Sequence, residues 1–419
     1  MNAPAQVKLG DCVRLAKGKP PAQQPYYGAD SAWYLSPEYL RGAAACERAK
    51  PRANAVHVQD GNTILLWDGS NAGEVFLGRE GMLASTMTLV SPDNRFTSDY
   101  FFFALKQWEP YLKGQTSGSG IPHVDKEVLG KLEITEFAKP EQSKIAEVLS
   151  TVDRAIAQTE ALIAKQQRIK TGLMQDLLTR GIDKHGQLRS EATHAFKDST
   201  LGRIPVEWKV ARLADVADIS SGITLGKSHD GPDTVELPYL RVANVQDGFL
   251  DLGEIKTIRI PSVQVEKYRL QNGDVLMNEG GDFDKLGRGT VWRAEIPVCL
   301  HQNHVFKVRP ARDCLLPDFL AYVSSSPIGK AYFVLASKQS TNLASINSTQ
   351  LKAFDIPLPD YAEQLRLQEV ARQADEAIKA YQARFAKLRL LKTALMQDLL
   401  TGKVRVTPLL QPTEAESHG

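Results

Sequence analysis

Long apolar runs are missing from this sequence: nowhere do the roughly 18 consecutive hydrophobic residues of a membrane helix occur, which excludes a spanning helix. Cysteine is scarce, four in 419 residues, and Cys12, Cys46, Cys299 and Cys314 have neither CxxC spacing nor a secretory leader beside them. That excludes a disulfide-stapled secreted scaffold and predicts reduced thiols in a cytoplasm. An excess of charge is missing too, since 51 Lys+Arg against 49 Asp+Glu leave a formal charge of +2. Any nucleic-acid surface must therefore be a local patch, or be shared with a more basic partner. What is there, 42% hydrophobic and 24% charged residues, is the mixture of a globular chain, and 419 residues suffice for two or three domains with their own cores.

The motifs of chemistry are missing as well. GITLGKS at Gly222 has three residues between its glycine and GKS where a phosphate loop needs four, and HDGPD follows in place of a helix-forming run. Lys227 is better read as a loop residue. Cys299, His301, His304 and Cys314 match no compact zinc spacing, and no GxSxG elbow occurs. Neither NPP[FY] nor DPP[FY], the cluster that holds a flipped adenine, is present, and no glycine-rich cofactor loop follows a strand. A non-catalytic chain that binds no cofactor or metal of its own is expected.

What is present is a repeat. KTGLMQDLL at Lys170 returns as KTALMQDLL at Lys392, eight of nine letters alike and 222 residues apart. At that offset Glu141-Gln142 matches Glu363-Gln364, Asp153 matches Asp375, and Ile156 matches Ile378. LGKLEIT at 129 lies against LKAFDIP at 351. Upstream the likeness weakens: LGDCVRLAKG at 9 against LADVADISSG at 213, DGNTILLW at 60 against NGDVLMNE at 272, GEVFL at 73 against GTVWR at 289. This is a tandem duplication with a divergent front and a retained back.

Each back half reads as one long helix. Ile145, Leu149, Val152, Ile156 and Ile163 fall mostly three and four apart in the first, as do Leu367, Ala371, Ile378, Phe385 and Leu388 in the second, with Ile169 and Leu391 continuing the stripes. At about 1.5 Å per residue each is on the order of 55 to 60 Å long. An apolar stripe of that length needs a partner, and the two copies can supply it to each other as a coiled coil; the alternative packs each helix only on its own domain. Thr159 and Gln166 interrupt the first stripe. The front halves alternate apolar runs with glycine and asparagine turns, which predicts short strands with an occasional helix such as 99–106. The divisions are 1–138, a β-rich domain; 139–180, a helix; 181–207, a linker; 208–360, a second β-rich domain; 361–403, the second helix; and 404–419, a disordered tail. The fold class is α+β.

With chemistry absent, recognition remains. Loops carrying Arg, Lys, Asn, Gln and Ser suit base edges and phosphates. The candidates are Lys17, Lys19, Asn71, Arg79, Gln115 and Ser117 in the first domain, and Arg241, Asn244, Lys285, Arg288, Lys338, Gln339 and Asn342 in the second. A solvated loop surface is the alternative for any one of them. Stretches 129–180 and 351–402, with their LGKLEIT, EQ and LMQDLL elements, PYLRVANVQDG at 238 and GDVLMNEGG at 273 together resemble the specificity subunit of type I restriction-modification systems. The likeness runs over nearly the whole chain, although the first unit lacks the IPVEW lead-in seen at 204 and TSGSGIPHV at 116 is shorter and more polar than its counterpart. The resemblance implies two target recognition domains separated by an antiparallel coiled coil, each reading half of a gapped double-stranded DNA site. It implies two methyltransferase subunits as partners, carrying adenine-N6 chemistry and S-adenosylmethionine, and restriction endonuclease subunits using ATP and Mg where a system has them. A two-headed scaffold that organises partners without touching DNA is the competing expectation.

Overall fold

The computed structural model describes residues 4–115, 121–226, 231–281, 286–287, 289–339 and 344–410. The chain forms two units, one of residues 1–161 with 382–419, the other of residues 162–381. Two β-rich domains and a pair of long, closely packed helices make up the α+β fold.

In the first unit a four-stranded antiparallel sheet runs in the order Val13–Lys17, Met87–Pro92, Thr63–Leu66, Val75–Leu77. The central strand TILL is buried at all four positions because both of its faces are covered. Leu65 enters one core with Val75, Val90 and the helix Ser98–Lys106, while Ile64 and Leu66 enter another with Phe76, Leu83 and Met87. A second sheet has the order Glu47–Ala49, Ala32–Leu35, Gly81–Leu83, His57–Val58, with 32–35 parallel to 81–83.

The second unit repeats the plan. Its four-stranded sheet is Ala217–Ser221, Val305–Pro310, Val275–Asn278, Gly289–Val291, and Val275 and Met277 face one core while Leu276 faces another. Beside it lie Lys256–Pro261, Thr234–Leu240 and Leu300–His301, with 234–240 parallel to 300–301. The weak upstream likeness between repeats thus corresponds to one topology built twice.

The helices span Lys139–Thr179 and Tyr361–Leu400. In the first unit Ile145, Ala146 and Leu149 share a core with Leu399, Leu400 and Val406. In the second, Met174, Leu177 and Leu178 share one with Leu367 and Ala371. Within each unit the start of one helix therefore meets the end of the other, which is antiparallel pairing. The stripe is narrower than the periodicity predicts: Ile378 is buried and Val152, Ile156, Ile163, Phe385 and Leu388 half-buried, whereas Ile169, Leu390 and Leu391 are exposed. Thr159 is buried with its hydroxyl donating to the Ala155 carbonyl at 2.7 Å, a bond within its own helix; Gln166 is half-buried.

Two polar segments, read as a linker and as a disordered tail, carry structure of their own. Residues 181–207 contain a hairpin, Phe196–Ser199 with Gly202–Pro205, and bury Ile182, Arg189 and Ile204. The tail is ordered through residue 410 and buries Val406; residues 411–419 lie outside the described ones. Polar composition hides the anchoring groups in both places, because they are few and one of them is an arginine.

Candidate nucleic-acid interface and the helix clasps

The duplicated Glu-Gln pair at each helix start is buried, although both residue types favour water. Gln142 accepts from the backbone N–H of Thr97 at 2.8 Å and donates to the carbonyls of Arg95 and Phe137 at 2.8 Å each. Gln364 accepts from the N–H of Leu316 at 2.9 Å and donates to Cys314 and Pro359 at 2.8 and 3.1 Å. Thr97 and Leu316 each cap a nine-residue helix of their domain, Ser98–Lys106 and Pro317–Ser325, so the glutamine ties the long helix to that helix's otherwise unsatisfied start.

The glutamates take arginines from the segments that follow the other long helix. Arg405 grips Glu141 through Nε and Nη2, both at 2.7 Å. Arg189 grips Glu363 through Nη1 and Nη2, the latter at 3.0 Å, and Trp208 Nε1 and the Ile182 amide add bonds at 3.1 and 3.0 Å. Such forked, charge-assisted pairs satisfy the buried carboxylates. Further along, Lys392 reaches Asp153 at 2.6 Å, and Lys170 pairs with Asp375 in the same way. The repeated KT and Asp letters are thus two halves of one ion pair, made once in each unit. For Asp153→Ala and Lys392→Ala, half-exposed as they are, a double-mutant cycle on thermal unfolding is expected to give a coupling of about 0.5–1 kcal/mol; additive losses would deny the bridge any role.

The recognition candidates divide. In the first domain Lys17 pairs with Asp68 at 2.7 Å, bringing the end of its strand to the loop that carries Asn71. The backbones of Asp68 and His123 form an antiparallel bridge, and the Gly69 N–H donates to the Pro122 carbonyl, so residues 122–123 join the same end of the domain. Lys19, Asn71, Arg79 and Gln115 are exposed, Arg79 over the Tyr39 ring at 5.9 Å. In the second domain Lys338 is exposed on the strand Lys338–Gln339. Asn244 is only 3% exposed: it accepts from Arg241 N–H at 2.9 Å and donates to the carbonyls of Asp251 and Glu254 at 2.8 and 3.0 Å. Arg241 is half-buried and turned to Glu254, its guanidinium 3.3 Å from the carboxylate. Both brace the 241–254 loop. Ser117, Lys285, Arg288, Asn342 and Lys227 lie outside the described residues.

Among the described residues no three His, Cys, Asp or Glu side chains converge as a metal set. Burial pushes the Cys299 thiol up to about 12 and the His301 imidazolium down to about 4, leaving both neutral near pH 7. His301 donates through Nδ1 to the Val305 carbonyl at 2.7 Å, while His304 lies 2.7 Å from Glu279. No helix among the described residues is long and apolar enough to cross a membrane.

Residues 5–168 and 205–383 match the type I restriction modification DNA specificity domain. The chain belongs to the family of type I restriction-modification specificity subunits. It is 33% identical over 415 residues to the MjaVIII specificity subunit of Methanocaldococcus jannaschii, covering 96% of this chain and 93% of that one. The EcoKI specificity subunit of Escherichia coli K12 is 21% identical over 327 residues, 73% of this chain and 68% of the relative. In fold, the S subunit from M. genitalium matches with a TM-score of 0.57 at 14% identity, covering 94% of this chain and 96% of that one. A specificity subunit is the non-catalytic, DNA-specifying member of a system whose other members are modification and restriction subunits.

The arginines of the clasps escaped the sequence reading. Their glutamates stand out in the duplication, but Arg189 follows Gly181 by eight residues and Arg405 follows Gly402 by three, so no shared spacing marks them.

Proposed function

We propose that each β-rich domain reads one half of a gapped, asymmetric duplex site, and that the long helices dock two adenine-N6 methyltransferase subunits, with endonuclease subunits joining where the system makes them. What carries this reading is the contrast between the two halves of each repeat. The Glu-Gln clasps and the Asp–Lys bridges are kept residue for residue, whereas the exposed loops bear unrelated side chains. Heads that read different sequences must differ, and helices that serve two copies of one partner must not. On this reading Lys19, Asn71, Arg79 and Gln115 serve the first half-site and Lys338 the second, while Arg241 and Asn244 act by holding their loop. S-adenosylmethionine belongs to the methyltransferase, and ATP with Mg to the endonuclease.

Mapping adenine methylation across the host genome with the gene intact and deleted tests it. The expected result is loss of methylation at one gapped, asymmetric motif. If the deletion changes nothing and the assembled complex shows no salt-dependent, sequence-selective duplex binding, the two-headed scaffold takes its place.

A further inference from the structure

We infer that the first domain carries a phosphate-backbone contact face on the strands Ala32–Leu35 and Glu47–Ala49 and the loop before them, formed by Tyr26, Tyr27, Trp33, Arg48, Lys50 and Arg52. The inference rests on the DNA-reading function proposed above and names the surface by which the first domain grips the duplex outside its reading loops.

Aromatic and cationic side chains alternate over this face. Trp33 pairs with Arg48 across the strands, and the guanidinium lies 5.0 Å from the indole centroid while bonding the Ser31 hydroxyl and carbonyl at 2.8 Å each. Lys50 stands 5.2 Å over the Tyr26 ring. The loop is laid along the strand by backbone bonds, Tyr26 to the Arg48 carbonyl at 2.9 Å and Ala22 to that of Lys50 at 2.8 Å. A Cβ on Gly28 would sit 2.0 Å from the Tyr26 hydroxyl, so the glycine admits this packing. The face is thereby pre-ordered, and little side-chain entropy remains to be lost on binding. Yet Tyr27 is 76% and Trp33 46% exposed, large aromatic surface that the domain itself leaves uncovered.

Charge selects the occupant. Three cations stand on the strand end and just beyond it against two neighbouring acids: Asp30 lies 3.7 Å from Lys50 and accepts from the Tyr26 hydroxyl at 2.7 Å, Glu47 accepts from Gln24 at 2.8 Å, and among the described residues neither Arg48 nor Arg52 pairs with an acid, so the face keeps a net positive charge. Cations beside flat aromatic faces suit phosphates flanked by sugars, and such contacts position a protein on DNA without reading it. Among the described residues, the topologically equivalent strands of the second unit carry no such pairing of cation and ring. There Glu236 answers Arg259 at 3.4 Å and accepts from Thr257 at 2.6 Å, and Tyr239 is buried.

The full chain, co-expressed with the host's methyltransferase subunit, is titrated with a duplex of random sequence at several salt concentrations. Lys50→Gln with Arg52→Gln is expected to flatten the slope of log affinity against log salt by roughly 2, one for each phosphate no longer neutralised. Tyr27→Ala is expected to weaken binding about tenfold with the slope kept, and Lys131→Gln, on an exposed residue remote in sequence, to change neither. Wild-type slope and affinity in all variants would overturn the inference while leaving the DNA-reading function standing. Loss of co-purified methyltransferase at unchanged slope would overturn it in favour of a protein partner. If the wild-type complex binds no duplex, the DNA-reading function itself fails.

Discussion

Glu363→Ala is expected to destabilise the second unit by about 3–5 kcal/mol, the usual consequence of stripping one partner from a buried ion pair. The carboxylate is the hub of the clasp: Arg189, Trp208 and the Ile182 amide all donate to it, and the Arg189 and Glu363 side chains are 8% and 2% exposed. Removing it leaves a buried guanidinium, an indole N–H and an amide without an acceptor, each with its own desolvation cost. At roughly 2–4 °C per kcal/mol for a unit of this size, thermal unfolding should begin on the order of 10 °C earlier. Glu141→Ala is the internal control. Its arginine, Arg405, is 29% exposed and can turn to water, so the loss there should be nearer ~1–2 kcal/mol. Equal losses at the two glutamates, followed by differential scanning calorimetry of the full chain, would show that burial of the arginine does not set the difference.

Gly222→Ala should be nearly as damaging, and Gly18→Ala with it. The repeat aligns these two glycines, the last letters of LADVADISSG and LAKG, and both stand where one backbone presses on another. A Cβ on Gly222 would lie 2.0 Å from the His301 carbonyl oxygen, and one on Gly18 2.0 Å from that of Ala84. Neither obstacle is a flexible side chain that can swing away, so strands must part. About 3 kcal/mol or more is expected from each, at the upper end of overpacking. Gly172→Ala, on the first long helix with open space around it, should be neutral or stabilising by comparison. Urea unfolding of the three variants checks the order, and a mild Gly222→Ala would mean that the strands separate more easily than the packing implies.

Much of this was legible in the letters, for a reason that particular residues make plain. A helix stripe such as Ile145, Leu149 and Leu177 announces itself by period, and the duplication announced the partner because each apolar stripe had a copy to meet; the antiparallel direction came only from the family resemblance. Strand runs such as TILLW were legible too, since both faces of that sheet are buried. The clasps were only half legible: Glu141 and Glu363 were marked by repetition, but their arginines sit in segments whose polarity reads as linker and tail. Ile169 and Leu391 show the opposite failure, apolar letters in phase with the stripe that remain exposed. The candidate recognition loops were least legible. Asn244 has the chemistry to bind adenine and spends it on the backbone of its own loop, which no sequence pattern distinguishes from a residue facing outward.

One division of the chain bears on the order in which it folds. The second unit is a continuous stretch, 162–381, but the first is interrupted and takes its last pieces from residues 382–419. Leu399, Leu400 and Val406 complete its core, the Thr135 hydroxyl bonds the Leu400 carbonyl at 2.7 Å, and Arg405 closes on Glu141. On the ribosome, therefore, the upstream domain must wait for segments made after the whole of the downstream one. The downstream unit has all its own segments once residue 381 has emerged, while the upstream one keeps an open core until residue 406 has followed. A ribosome stalled between the two points would hold a finished second unit and an unfinished first, a state in which a protease should cut only the upstream half.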